Sequence, residues 1–521
     1  MSRRKLAKNA GSMSVAVFIS RIFGLVRDVI MTNFFGTSYI ADAFRVAYQI
    51  PNFLRRLFGE GALSAAFVPI YNEIGVKSGK KEQINFALNI LTLLTLFLII
   101  LCLIGIATAP IIVRLIAPGL DVNTRILVIK LTRILFPYLF FIGISSTLIS
   151  ILNSHNRFFL PGLSSAFLNI GMIGSLGIFL LLSDSASKEV EIHIWSYGVI
   201  LGGFLQTVVN FPQLKQIGYR FKYNINFHGE ALKSVWKRLI PGAIGIAVRQ
   251  INLIADMVLA SLLVTGSIAA LGYGNRLMQL PMGVFGVAAG VAVLPLFSRQ
   301  IAEDDWKGLY SSLRFSIISI CYIMLPITAI IAGLGKDFIK ILFMRGAFDL
   351  NSVDMTYKAL LFYSTGIIFY SLNRLIIPVY YANKDTKTPV KISVIIVVLN
   401  IILNIIFMQF MQHAGLAFAT AVSAMIQYFL LVIYFKKKIP KLRYPKILKP
   451  ILKIVVISVI IFIGLLFSTN ILPGENMLQR VIRVIILGVG SVVFFVIGSQ
   501  LLNIEYSKDI KQRLCRRFQK K

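Results

Sequence analysis

The chain has 521 residues, 57% of them hydrophobic and only 14% charged, with a mean hydropathy of +0.79. A soluble chain carries about a quarter charged residues and a single core stops growing near ~250–300 residues, so this much apolar surface excludes an ordinary soluble enzyme and requires a bilayer as solvent. The net charge of +33, from 54 Lys and Arg against 21 Asp and Glu, sits mostly in short segments between apolar runs, which reads as membrane topology and argues against nucleic acid as a partner.

In chain order, apolar windows and their breakers predict spans at 11–35, 39–76 (long and interrupted), 84–109, 123–153, 161–182, 193–214 and 231–264. Further spans follow at 267–299, 309–334, 353–382, 389–410, 413–435, 447–469 and 479–502. The fold class is therefore an all-α polytopic membrane protein of about fourteen transmembrane helices. The N-terminus lacks a clean apolar h-region and a small-residue cleavage site, so it reads as a retained first helix.

One set of loops is basic, as at Lys77, Lys80 and Lys81, at Lys215, Arg220 and Lys222, at Lys436, Lys437 and Lys438, and in the tail at Arg513, Arg516 and Arg517. The alternate set is poorer in base or acidic, as at Asp184, Glu189 and Glu191; the stretch 336–354, read as a loop, is mixed. This pattern puts both termini in the cytoplasm, consistent with an even number of spans.

An internal repeat appears at an offset of about 228 residues. Arg21 and Asp28 align with Arg249 and Asp256, Pro161 with Pro389, and Pro69 close to Pro295. A six-helix unit repeated in parallel gives two pseudo-symmetric lobes, 1–222 and 223–440, with the segment 441–521 as a C-terminal helix pair and basic tail.

No enzyme motif stands out. His155, His193, His228 and His413 are scattered, and Cys102, Cys321 and Cys515 show no metal spacing. Gly333 and Gly335 read as a turn at a helix end. The informative residues are charges inside spans: Arg21, Arg27 and Asp28 in the first, Asp42, Arg45, Arg55, Arg56 and Glu60 in the second, and Arg249, Asp256 and Arg276 in the seventh and eighth. A charge at the bilayer centre costs ~3 kcal/mol on insertion scales, so such residues usually face water or a partner. Two readings stay open: the arginines pair with nearby acids as packing locks, or they line an anion-binding cavity. Arginine suits a diphosphate because its planar fork donates two hydrogen bonds at once and stays charged. Pro51, Pro281, Gly59, Gly61, Gly283 and Gly286 break the second and eighth helices, as in alternating-access transporters.

The runs Ser20-Arg21-Ile22-Phe23-Gly24-Leu25-Val26-Arg27-Asp28, Ala41-Asp42-Ala43-Phe44 and Pro51-Asn52-Phe53-Leu54-Arg55-Arg56 resemble the MurJ (MviN) family. So do the segment from Glu60 to Pro69, Asn275-Arg276-Leu277-Met278-Gln279-Leu280-Pro281, and Asp385-Thr386-Lys387-Thr388-Pro389. The resemblance implies a flippase of the MOP exporter superfamily that moves lipid II, with no covalent chemistry and no cofactor. It implies that Arg21, Arg27, Arg55 and Arg276 line a central cavity and hold the diphosphate, with Ser20, Asp28, Asp42 and Glu60 beside them. Asp256 and Asp385 stand where some relatives bind a cation, so the energy source stays open between the membrane potential and a monovalent cation. The implied partners are lipid II and membrane lipids, with the chain working as a monomer in the inner membrane, in contact with cell-wall synthesis machinery. The alternatives are a flippase for another polyprenyl-diphosphate-linked oligosaccharide, a MATE-like small-molecule exporter and a non-transporting scaffold. Arg45 stands where family members carry an aromatic, and Asn275 where some carry Asp.

Overall fold

The structure, a computed structural model, describes residues 3–56, 62–183, 187–220, 222–226, 229–283, 287–439, 441–442, 445–472, 474, 476–504 and 506. All regular structure among them is helical. The first ten helices are α1 (Arg3–Phe35), α2 (Tyr39–Arg55), α3 (Ala62–Lys77), α4 (Gly79–Ile116), α5 (Val122–Leu135), α6 (Tyr138–Ser154), α7 (Phe159–Leu182), α8 (Lys188–Val208), α9 (Phe211–Gln216) and α10 (Glu230–Ser261). The rest are α11 (Ser267–Pro281), α12 (Val287–Ala302), α13 (Trp306–Phe343), α14 (Leu350–Thr365), α15 (Ile367–Ala382), α16 (Lys387–Met411), α17 (His413–Lys438), α18 (Leu448–Ile471) and α19 (Met477–Leu501).

Ten helical segments among the described residues are long and apolar enough to cross a bilayer, which makes this a multi-pass membrane protein. They are α4, α5 with α6, α7, α8 with α9, α13, α14 with α15, and α16 through α19. The other four predicted spans correspond to α1, α2 with α3, α10, and α11 with α12. These hold the intramembrane arginines and acids, and prolines 51 and 281 fall within α2 and α11.

The chain divides into two compact units, Met1–Ile268 and Ala269–Lys521. This division falls one helix later than the sequence boundary at 222, because α10 packs on α3 and α4. The end of α10 is also tied down. Ser261 Oγ accepts the Gly119 N–H at 3.2 Å, and the turn after it is held through Gly266.

In the first unit, α7 lies between α1 and α8. The α7–α8 contact is close because Gly171, Gly198 and Gly202 face backbone: a Cβ at Gly202 would stand 2.7 Å from the Leu168 Cα. Small residues let helices approach where lipid offers no hydrophobic drive for association. At one end of the unit Phe67, Tyr71, Phe86, Leu152, Leu214 and Tyr219 form a buried cluster. Tyr71 Oη bonds both His155 Nε2 and Tyr219 Oη at 2.7 Å, so His155 joins a structural network.

In the second unit, α13 is the central strut, packed by α14, α15, α18 and α19. Two sequence expectations are corrected here. Gly333 and Gly335 lie within α13 and mark no turn; a Cβ on Gly333 would stand 2.7 Å from Leu465 Cβ of α18, so the glycine is there for close packing. The stretch 336–354 is not one loop. Lys336 and Asp337 belong to the last two turns of α13, Lys336 pairs with Asp354 of α14 at 2.6 Å, and Asp337 pairs with Arg483 of α19 at 2.5 Å. Helix propagates through these charges because each has an opposite charge on a neighbouring helix.

Candidate functional site: an arginine cradle on the first helix

The sequence places Ser20 and Arg27 seven residues apart on α1, two helical turns, so they share a face. That face meets α7. Ser20 Oγ donates to the Gly162 carbonyl at 3.2 Å, and Arg27 Nη1 donates to Asn169 Oδ1 at 3.1 Å. Both partners advance by seven residues in the same sense, so α1 and α7 run parallel along this seam.

Arg27 is held at two points. Its Nε and Nη2 donate to Asp28 Oδ1 at 3.2 and 2.7 Å, while Asn169 fixes Nη1. The guanidinium side chain is 22% exposed and the Asp28 side chain 12%. Three of the five N–H donors are thereby used, and two are uncommitted among the described residues. The acid orients the fork and balances its charge; the remaining donors suit an incoming oxyanion. Asn169 was missed in sequence. Its signal was a lone amide in the apolar run 159–182, which names no partner.

Asp42 has a different role from arginine pairing alone. It is 4% exposed and accepts the Gly266 N–H at 2.6 Å. Gly266 has φ +89°, and a Cβ there would collide with the Thr37 carbonyl oxygen. The short turn after α10 is thus docked against the corner between α1 and α2, and Asp42 is the bolt.

The other candidates are placed as follows. Arg21 is exposed on α1. Arg55 is half-buried in the last turn of α2, its Nε donating to Asn52 Oδ1 at 2.8 Å. Arg276 is exposed on α11 in the second unit, and Asn275 beside it accepts a bond from Gln279. Glu60 and the side chain of Arg249 lie outside the described residues. Asp256, on α10, accepts the Asn252 amide at 3.3 Å. Asp385 accepts the Thr388 N–H at 3.0 Å and so caps the start of α16. The structure therefore gathers Ser20, Arg27 and Asp28 on one seam and gives Asp42 and Asp385 backbone partners.

These helices and charges define a class: all-α, multi-pass membrane proteins with charged side chains on their less apolar helices. The fold is similar to that of an inward-facing multidrug resistance MATE family transporter of the MOP superfamily, with a TM-score of 0.64 at 14% identity over 80% of this chain and 95% of that one. The family described as lipid II flippase MurJ matches residues 31–484. A probable lipid II flippase MurJ from Buchnera aphidicola subsp. Baizongia pistaciae is 34% identical over 478 residues, 90% of this chain and 91% of that protein. One from Vibrio cholerae is 35% identical over 437 residues, covering 82% of each. A solved lipid II flippase MurJ in an inward closed conformation superposes with a TM-score of 0.77 at 30% identity, over 94% of this chain and 99% of that one. The chain belongs to the MurJ family.

Proposed function

We propose that this protein moves lipid II from the cytoplasmic to the periplasmic leaflet of the inner membrane by alternating access. Family membership supports the substrate. The observation that carries the mechanism is Arg27, a guanidinium fixed by Asp28 and Asn169 with donors to spare. Arg21, Arg27, Arg55 and Arg276 are the proposed diphosphate ligands, and Asp28 positions Arg27. All four predicted spans outside the strongly apolar set also cross, giving fourteen, with both termini cytoplasmic. The chain acts without covalent chemistry. Moving charge across the membrane couples to its potential at ~2.3 kcal/mol per elementary charge per 100 mV, so the potential or a monovalent cation is the proposed energy source.

The test is rescue of a strain depleted of its lipid II flippase, with lipid II accessibility at the outer leaflet as the readout. Wild type is expected to restore it. Arg27→Ala should fail, and Arg27→Lys should restore only part, because an ammonium keeps the charge but loses the fork. Normal translocation by Arg27→Ala would sink the arginine mechanism. A polyprenyl-diphosphate flippase for another glycan would leave the strain unrescued even with every arginine intact.

A further inference from the structure

The first unit contains a cavity of about 710 Å³ walled by α1, α3, α6, α7 and α8. Its wall carries Ser64, Asn72, Asn153, Ser164, Ser165 and Gln206, and no charged residue among the described residues. Three oxygens of these side chains, Asn153 Oδ1, Ser164 Oγ and Gln206 Oε1, are buried without a hydrogen-bond partner among the described residues. Ser164 and Gln206 are each only 3% exposed. These three oxygens have almost no accessible surface, so they sit behind the wall, and the polar groups an occupant can reach are the exposed ones, Asn72 and Ser165. A wall of hydroxyls and amides suits a polar occupant, and a wall without charge suits a neutral one, since an ionised group there would go uncompensated.

The cavity adjoins the arginine cradle through covalent and hydrogen-bonded steps. Gly162, part of its wall, accepts the bond from Ser20. Ser165, also in the wall, accepts the Asn169 side-chain amide at 3.1 Å through its carbonyl. Asn169 in turn holds Arg27. Four helical residues, about 6 Å of rise, separate Ser165 from Asn169. In a lipid-linked glycan the neutral polar group bonded directly to the diphosphate is the first sugar. A charged peptide lies farther along and would find no counter-charge in this wall.

We propose that this cavity is a saccharide subsite for the sugar next to the diphosphate, an inference that rests on the diphosphate role of Arg27. The experiment measures binding by purified protein of three probes: lipid II, lipid II with its peptide replaced by a simple neutral amide, and undecaprenyl diphosphate without sugar. The variants are Asn72→Leu and Ser165→Leu, each of which replaces an exposed polar group of the wall with an apolar one. Each is expected to weaken both glycosylated probes ~10-fold, as for loss of one or two hydrogen bonds, and to leave undecaprenyl diphosphate within about two-fold. Unchanged binding of the glycosylated probes by both variants overturns the subsite, as does equal weakening of all three probes by Ser165→Leu. Weakening confined to the peptide-bearing probe would instead make the cavity a peptide site. Arg27→Gln is the separate arm: if it binds undecaprenyl diphosphate as tightly as wild type, the diphosphate reading fails, whatever the glycan variants show.

Discussion

Asp42 shows how a charged residue can hold a partner that its place in the sequence does not name. Its place among arginines suggested an electrostatic role, and the structure gives it a backbone N–H 224 positions away. Hydrogen bonds to charged groups are worth about 1.5–3 kcal/mol. Asp42→Ala is expected to cost about that much, read as a lowered midpoint in thermal unfolding, while Asp42→Asn keeps an acceptor and costs less. Gly266→Ala should destabilise independently, because φ +89° and the Thr37 carbonyl both oppose a Cβ. The double variant should be less destabilised than the sum, since both break one docking contact. Full additivity would show that Asp42 does not act through this turn. Arg27 differs: its immediate neighbour Asp28 was visible in sequence, but Asn169, 142 positions on, was not.

At the level of helices, the Asp337–Arg483 pair locks α19 to α13. With side chains 7% and 11% exposed it is a buried ion pair. Removing one partner of such a pair typically costs ~3–5 kcal/mol because the other charge is left buried, whereas replacing both with apolar groups is often neutral. Arg483→Met alone should therefore unfold at clearly lower temperature, and Asp337→Leu with Arg483→Met should recover most of the loss. Failure of the double variant to recover would mean that the charges serve something beyond packing. The start of α5 offers a pH-dependent case outside the membrane. Hydrogen bonding from the Thr124 side chain and from the Thr124 N–H, the latter at 3.0 Å, holds the Asp121 pKa below the ordinary carboxylate value. The stability it adds is present above about pH 4, where the unfolded carboxylate is ionised, and is lost as pH falls through the lowered folded value. The advantage of wild type over Asp121→Ala should thus shrink on acidification toward pH 3 in thermal unfolding; a constant gap would exclude an ionised cap.

For the whole molecule, helix length makes topology testable. α4 has 38 residues, about 57 Å of rise, well beyond the ~30 Å hydrocarbon core, so its ends emerge on opposite faces. Cys102 and Cys321 are buried, leaving Cys515 to be replaced by serine before new cysteines are placed. Lys80→Cys at the start of α4 should react with an impermeant thiol reagent only after the membrane is opened. Asn123→Cys, just beyond its end, should react from outside in intact cells. The reverse pattern would invert the proposed topology.

Much of this protein was legible before any coordinates. Apolar runs must become helices in lipid, because every backbone N–H and C=O needs an internal partner there, so the helix positions followed from hydropathy. Basic residues at helix ends and the motif around Arg21, Arg27 and Asp28 likewise needed only local spacing. Helix ends were less legible. Charged residues such as Lys336 and Asp337 looked like loop but continue α13, since their compensating charges lie on α14 and α19. Partnership was not legible at all. That Arg27 rests on Asn169, that Asp42 bolts Gly266, and that six serines from distant segments share one cavity wall depend on which helices pack together. Hydropathy assigns a segment to the membrane but leaves its neighbours and rotation open, because lipid favours no apolar face over another. Only close packing of small residues and the pairing of buried polar groups decide which helix meets which, and they act between residues far apart in the chain.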